Sequence, residues 1–250
     1  ARVDLRPLAD ELASQVLLEL DFAREADSTE RVREAFTGSS AVRVPRVYRE
    51  LSPERLLVLE FVEGKALTDI DGLRASGVDL RKIGVALAEL YATMIFEHGF
   101  FHGDPHPGNL LVAPDGTTLV LLDFGLAKEL PPGFAAGAAA MIVKGMSGDI
   151  TGAIAAARSI GFEGTGEPED FRDMVRAMMG DNDRLRSAID AMRATSMKVP
   201  SDFTIIGRAF ILLNGLSHRL APNERLLAGA LVRHLAPRVA AAAALPSAHR

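Results

Sequence analysis

Apolar residues recur every three or four places at the start of the chain, at Leu8, Leu12, Val16, Leu20 and Ala23, with charges between them. That spacing predicts an amphipathic helix over 4–36, ended by Gly38-Ser39-Ser40. Val42–Tyr48 reads as a short extended run broken by Pro45, and Leu51–Arg55 as a turn. Leu56–Val62, LLVLEFV, predicts a continuous apolar strand with one acid, Glu60, inside it. Gly64, just past the strand, reads as a flexible crossing point between two lobes. Asp79–Phe100 predicts a strong helix with the stripe Ile83, Leu87, Leu90, Tyr91, Met94 and Ile95. Asp79 is its expected N-cap and Gly99 its stop.

The pattern then changes. FHGDPHPGNLLVAPDGTTLVLLDFG, Phe101–Gly125, holds two short apolar runs, Leu110–Val112 and Leu119–Leu122, split by Pro114-Asp115-Gly116. This predicts a hairpin with a polar loop before it and an Asp-Phe-Gly turn after it. Beyond Gly125 the chain reads as all helical. The predicted segments are Phe134–Lys144, Asp149–Ile160 closed by Gly161, Asp170–Met179, Asp183–Thr195, a Ser201-capped helix to Leu220, and Pro222–Ala236. Glu163–Glu169 is an expected loop and Val239–Arg250 a frayed Ala-rich tail. Strands cluster before Asp123 and helices follow it, which is an α+β plan.

Composition narrows the function classes. With 48% hydrophobic residues over 250 positions, the chain can bury a substantial core. A net charge of −5 gives no electrostatic reason to propose nucleic acid as a partner. The absence of cysteine excludes disulfides, thiolate metal sites and cysteine nucleophiles, and it fits a cytoplasmic location. No apolar run reaches the roughly 20 residues that span a bilayer. The opening ARVDLRPLADELASQ carries charges where a signal peptide would be apolar, and it starts without methionine inside a helical pattern. A fragment of a longer protein is the expectation.

The candidate chemistry lies in 101–125. Asp104 is followed five positions later by Asn109, and Asn109 by Asp123 within Asp-Phe-Gly. Each alone is weak, since Asp before Pro commonly starts a turn. Jointly they supply what metal-assisted phosphoryl transfer needs, an acceptor for the nucleophile's proton and oxygen ligands for magnesium. His102 and His106 around Asp104 offer a rival zinc reading, but Pro105 and Pro107 make the stretch a loop and no further ligand cluster stands out. The acids Glu19, Asp21 and Glu25 of the acid-rich LELDFAREAD read from periodicity as part of a solvated helix face. His218 and His234 carry no signal.

The set as a whole is similar to the protein-kinase superfamily, and in detail it resembles the atypical UbiB-like family associated with ubiquinone biosynthesis. Four segments carry the likeness: FHGDPHPGN over 101–109, ELDFARE over 19–25, VPRV at 44–47 leading to LVLEFVEG at 57–64, and PSDF at 200–203 followed by GRA at 207–209. The resemblance implies a kinase-like fold, with a partial N-lobe over 1–64, a mainly helical C-lobe over 65–238 and a tail over 239–250. It implies ATP and Mg2+ as cofactors. Asp104 would orient or deprotonate the nucleophile, and Asn109 and Asp123 would ligate magnesium. The Glu60 C=O and Val62 N–H would bond adenine, with Leu111 also on the cofactor side. Glu25 would pair with a phosphate-gripping lysine, and Glu19 and Asp21 would be the family's acidic pair near the site. Lipid or quinone-pathway partners and peripheral membrane contact are further expectations.

Two departures qualify this. No phosphate-gripping lysine on a strand, glycine- or alanine-rich phosphate loop or Lys-x-Gly-Gln segment precedes Glu25, and the usual end of an activation segment is not recognisable after Lys128. The 250-residue chain alone is therefore expected to bind ATP weakly and turn it over little. ATPase activity or a small or lipid-like acceptor is as consistent as a protein acceptor. The competing classes are an aminoglycoside-type phosphotransferase and a non-catalytic nucleotide-binding scaffold.

Overall fold

Asp21 sets where the first described helix begins. Its carboxylate accepts the Arg24 amide at 3.0 Å, and α1 runs Phe22–Ala35. The computed structural model describes residues 21–163, 198 and 200–244. The uninterrupted helix predicted over 4–36 is thus broken at Asp21, because a side chain that caps orphan amides sits in a non-helical conformation. Glu19 and the rest of 4–20 lie outside the described residues, as do the predicted helices Asp170–Met179 and Asp183–Thr195.

The chain forms two compact units, Ala1–Asp79 with His106–Ala127, and Leu80–Pro105 with Lys128–Arg250. In chain order the strands are β1 (Val42–Arg43), β2 (Lys65–Ala66), β3 (Phe100–His102), β4 (Leu110–Val112), β5 (Leu119–Leu121) and β6 (Ala127–Glu129). The first unit holds a sheet in the order β1-β5-β4-β2. The predicted hairpin is its centre. β4 and β5 pair antiparallel in the register Leu110↔Leu121, Leu111↔Val120 and Val112↔Leu119. β1 joins β5 in parallel, and β2 joins β4 antiparallel. Asp115 locks the hairpin loop by accepting the amides of Thr117 and Thr118 and the Thr118 hydroxyl at 2.8, 2.9 and 2.6 Å. The Thr118 hydroxyl first, then those two amides, pull its carboxyl from 3.8 to about 2. Gly116 takes the positive φ of 72° that the turn demands.

The strand predicted at Leu56–Val62 is not a core strand. Only Leu59 bridges, to Val47, and the flanking bonds run from the Tyr48 amide to the Val58 carbonyl and from the Glu60 amide to the Arg46 carbonyl. The available partner is short, since Pro45 lacks an N–H and a 3-10 turn takes over at Arg49–Leu51. Leu56 is 53% and Phe61 87% exposed as a result. The Glu60 side chain lies outside the core, paired with the Arg43 guanidinium at 2.6 Å and accepting the Arg46 amide at 3.1 Å. Gly64 is needed for closeness, not flexibility. A Cβ there would lie 2.9 Å from both Leu111 Cβ and the Val112 carbonyl oxygen. The short helix α2 (Ile70–Ala75), capped by Asp69, closes this unit's N-terminal part.

In the second unit, α3 (Leu80–Phe96) buries the predicted stripe completely. It stops four residues short of the predicted end. Gly99 takes a positive φ of 59°, and β3 follows with all three residues buried. β3 pairs with β6, and neither strand is predicted by the sequence. Three residues are too few to show a period, and β6 carries Lys128 and Glu129. Next come α4 (Phe134–Ser147), α5 (Ile150–Ser159), α6 (Ser201–Leu220) and α7 (Leu226–Ala244). Asp149 caps α5. Ser201 is the first residue of α6 rather than its cap, which is Pro200 without a side-chain hydrogen bond. α7 carries on through Pro237 into the expected tail, although proline removes one intrahelical bond. Helices α6 and α7 pack on α3. Glu89 of α3 meets Arg233 and His234 of α7, and the other His234 nitrogen lies 3.2 Å from Glu97. Among the described residues no helix is long and apolar enough to cross a membrane. The architecture is α+β.

Two stability outcomes follow. Gly64→Ala drives a methyl into backbone, so it lowers stability by about 1–3 kcal/mol in urea unfolding; an unchanged midpoint contradicts the close approach. Asp115 has its folded pKa below its unfolded one, so its stabilisation is present above 3.8 and is lost as pH falls through about 2. The difference in unfolding free energy between wild type and Asp115→Asn therefore shrinks across that window, and a pH-independent difference counts against the loop geometry.

Candidate active site

The hairpin's open end gathers side chains that are far apart in sequence. Before β4, Pro107–Asn109 forms a 3-10 turn whose first amide, that of Gly108, is accepted by His106 Nδ1 at 3.1 Å. The Asn109 amide donates to the His106 carbonyl at 2.9 Å. The Asn109 carbonyl in turn accepts the Leu122 amide at 2.8 Å, which extends the hairpin past its last strand pair. This brings the next residue, Asp123, beside the Asn109 side chain. Asn109 Nδ2 donates to Asp123 Oδ2 at 3.2 Å.

Asp123 is the one non-glycine position among the described residues with a positive φ, at 57°. A left-handed conformation costs an L-residue roughly 1–2 kcal/mol, and a short polar side chain tolerates it best. Its Oδ1 accepts the Gly125 amide at 3.1 Å, and buried Phe124 anchors the turn in the core. The Asp123 carboxylate is left exposed. The Asp123 carboxylate and the side-chain oxygen of Asn109, Oδ1, form a hard-oxygen donor pair. Magnesium is characteristically held by one or two carboxylates with waters and substrate phosphates, so the pair fits that ion. Among the described residues no cluster of three or more His, Asp or Glu is placed to form a protein-only metal cage. That leaves the zinc reading of His102, Asp104 and His106 without a ligand set.

Glu25, in the first turn of α1, points at the same turn. Its Oε1 accepts the Phe124 amide at 3.4 Å. Burial raises its pKa, the Asp123 charge raises it further, and the Phe124 amide works in the other direction. The partner here is thus the backbone of the Asp-Phe-Gly turn, where the resemblance implies a lysine. Asp21 is exposed and caps α1. Leu111, in the middle of β4, lies against Gly64, two places after buried Val62. Glu60 is held by Arg43 and Arg46 as described above.

Asp104 belongs to the second unit. Its amide donates to Nδ1 of buried His102 at 3.3 Å. Tyr91 on α3 is fully buried, and burial first, then the Asp104 charge, push its hydroxyl well above the ordinary range. Two contributors are not apparent from sequence. Tyr91 counts there only as part of an apolar stripe, although its phenol was the available signal. Arg24, beside Glu25, donates from Nη2 to the Ala127 carbonyl at 3.3 Å, a contact 103 residues distant that no local pattern announces.

Because Glu25 is half-buried beside Asp123, its ionised form is disfavoured in the fold. A raised carboxyl pKa contributes stability below its unfolded value of 4.5, and that contribution is lost as pH rises through the folded pKa. Glu25→Gln is therefore expected to raise the thermal midpoint at neutral pH, with the gain vanishing below 4.5. A variant that is less stable at neutral pH would show that the ionised carboxylate is favoured there.

Comparison with known proteins bears on the family and the fold. Residues 1–157 match the ABC1 atypical kinase-like domain. AarF domain-containing protein kinase 1 of Xenopus tropicalis is 41% identical over 131 residues, 51% of this chain and 25% of that protein. Synechocystis slr1919 is 31% identical over 247 residues, 90% of this chain and 42% of that protein. Probable serine/threonine-protein kinase abkB of Dictyostelium discoideum is 41% identical over 123 residues, 48% of this chain and 18% of that protein. The chain thus spans less than half the length of these relatives. The solved complex of Rv3197 with erythromycin from Mycobacterium tuberculosis superposes with a TM-score of 0.59 at 23% identity, covering 90% of this chain and 63% of that one, a likeness in fold. The chain belongs to the ABC1 atypical kinase-like family, the UbiB-like kinases.

Proposed function

We propose that the protein this chain belongs to is a magnesium-dependent ATP-using enzyme, transferring the terminal phosphoryl group to a small or lipid-like acceptor or to water. The observation that carries this is the Asn109–Asp123 pair, with the Asp123 carboxylate exposed on a rigid turn. Asn109 Oδ1 and the Asp123 carboxylate hold the cation. When bound, magnesium supplies positive charge against the phosphate oxygens. Asp104 accepts the nucleophile's proton, an assignment that rests on its place five residues before Asn109. The Glu60 carbonyl and Val62 amide would bond the adenine, and Leu111 would lie on the cofactor side. Glu25 keeps the Asp-Phe-Gly turn in place and is available to a phosphate-gripping lysine. Glu19 and Asp21 act as the acidic pair of the family. The division into an N-lobe over 1–64, a C-lobe over 65–238 and a tail belongs to the same reading. So do a link to quinone or lipid metabolism, peripheral membrane contact and a cytoplasmic location.

The reading is tested on the full-length protein by magnesium-dependent ATP hydrolysis, with and without candidate lipid acceptors. Asp123→Asn is expected to lower the rate by about 10²–10³-fold, the scale of losing one preorganised electrostatic contact. Equal rates in the two proteins reject the enzyme reading. Magnesium-dependent nucleotide binding without hydrolysis leaves a scaffold in its place. For the 250-residue chain alone, weak binding and little turnover are expected, and tight magnesium-dependent binding overturns that.

A further inference from the structure

We infer that Arg24 is a positioning residue for the Asp-Phe-Gly turn: with Glu25 it clasps the turn from α1 and holds Asp123 in its metal-ready, left-handed conformation. This rests on the reading of Asp123 as a metal ligand. The turn is closed internally by the Ala127 amide donating to the Phe124 carbonyl at 2.9 Å. Outside that bond, the turn presents the Phe124 amide at one end and the Ala127 carbonyl at the other. Adjacent residues of α1 take one each. Glu25 Oε1 accepts the Phe124 amide at 3.4 Å, and Arg24 Nη2 donates to the Ala127 carbonyl at 3.3 Å. Each partner has the group its target needs, an acceptor oxygen for the N–H and a charged N–H donor for the C=O.

The clasp is itself held in place. The Arg24 amide donates to the Asp21 carboxylate, so the cap fixes the helical turn from which both side chains project. The Glu25 carbonyl accepts the Thr29 hydroxyl at 2.7 Å, and Thr29 is buried. A residue in a sparsely populated conformation persists only where its surroundings over-determine it. Asp123 is braced on its N-terminal side by the Leu122 amide bonded to the Asn109 carbonyl, through its carboxylate by Asn109 Nδ2, and on its C-terminal side by the Glu25–Arg24 clasp. Removing the Arg24 contact frees the far end of the turn without touching any oxygen that would face the cation.

The test uses the full chain with Mn2+ as the probe, titrated by electron paramagnetic resonance without nucleotide. It compares wild type, Arg24→Gln, Arg24→Lys and the surface control Arg74→Gln. Arg24→Gln is expected to weaken Mn2+ binding by about tenfold or more, the lower end for a ligand-orienting partner, with Arg24→Lys between it and wild type and the control unchanged. Amide exchange at Phe124, Gly125 and Ala127 should speed up in Arg24→Gln while the β4–β5 amides stay as they were. Mn2+ affinity and turn exchange equal to wild type overturn the clasp. Should Arg24→Gln fail to fold, Arg24→Lys decides by the same two readouts at an unchanged thermal midpoint. A wild-type chain that binds no Mn2+ rejects Asp123 as a metal ligand instead, and the exchange comparison still decides the clasp.

Discussion

The candidate site depends on one backbone choice, the left-handed conformation of Asp123. It is unfavourable on its own, and several independent contacts converge to hold it. The β4–β5 pairing delivers Asp123 to Asn109, the Gly125 amide turns the carboxylate, and Phe124 is pinned in the core. Strain kept by converging contacts is a common property of functional turns, because a group held this way needs little reorganisation when a ligand arrives.

Helix α1 takes part through electrostatics as well as packing. Its first turn presents Arg24 and Glu25 to the same loop, and burial first, then the Asp123 charge, raise the Glu25 pKa there. Two acids close together are favourable only when a cation or a proton offsets them. In the second unit α3 has a similar organising role. It packs against β3, α6 and α7, buries Tyr91 within the influence of Asp104, and reaches His234 through Glu89, with Glu97 just past its end on the other ring nitrogen.

What the sequence reveals here is what is local. The hairpin, its Asp115-Gly116 turn and the stripe of α3 follow from short-range chemistry, and all three are present. Asn109 and Asp123 could be paired on paper because a tight hairpin returns the chain to its starting edge. Leu56–Val62 misleads because an apolar run says nothing about its partner, and Pro45 leaves it only one bridge. β3 and β6 are too short to show a period. The extension of α7 past Pro237 and the capping of α6 by Pro200 go against single-residue rules that longer context overrides. Arg24 and His234 act across more than a hundred residues, and only the folded chain brings their partners to them.

The hairpin has a polarity with an evolutionary consequence. Asn109 and Asp123 sit at its open end, while the Asp115 loop closes the other end, beyond three strand pairs. Changes of loop length at 114–117 are absorbed where they occur, provided the pairing register is kept. A slip of one residue in either strand would instead reverse every inward face and separate the two polar side chains together. Changes of length are therefore cheaper at the tip than along the strands, so this fold can vary one end of the hairpin while the other keeps its chemistry.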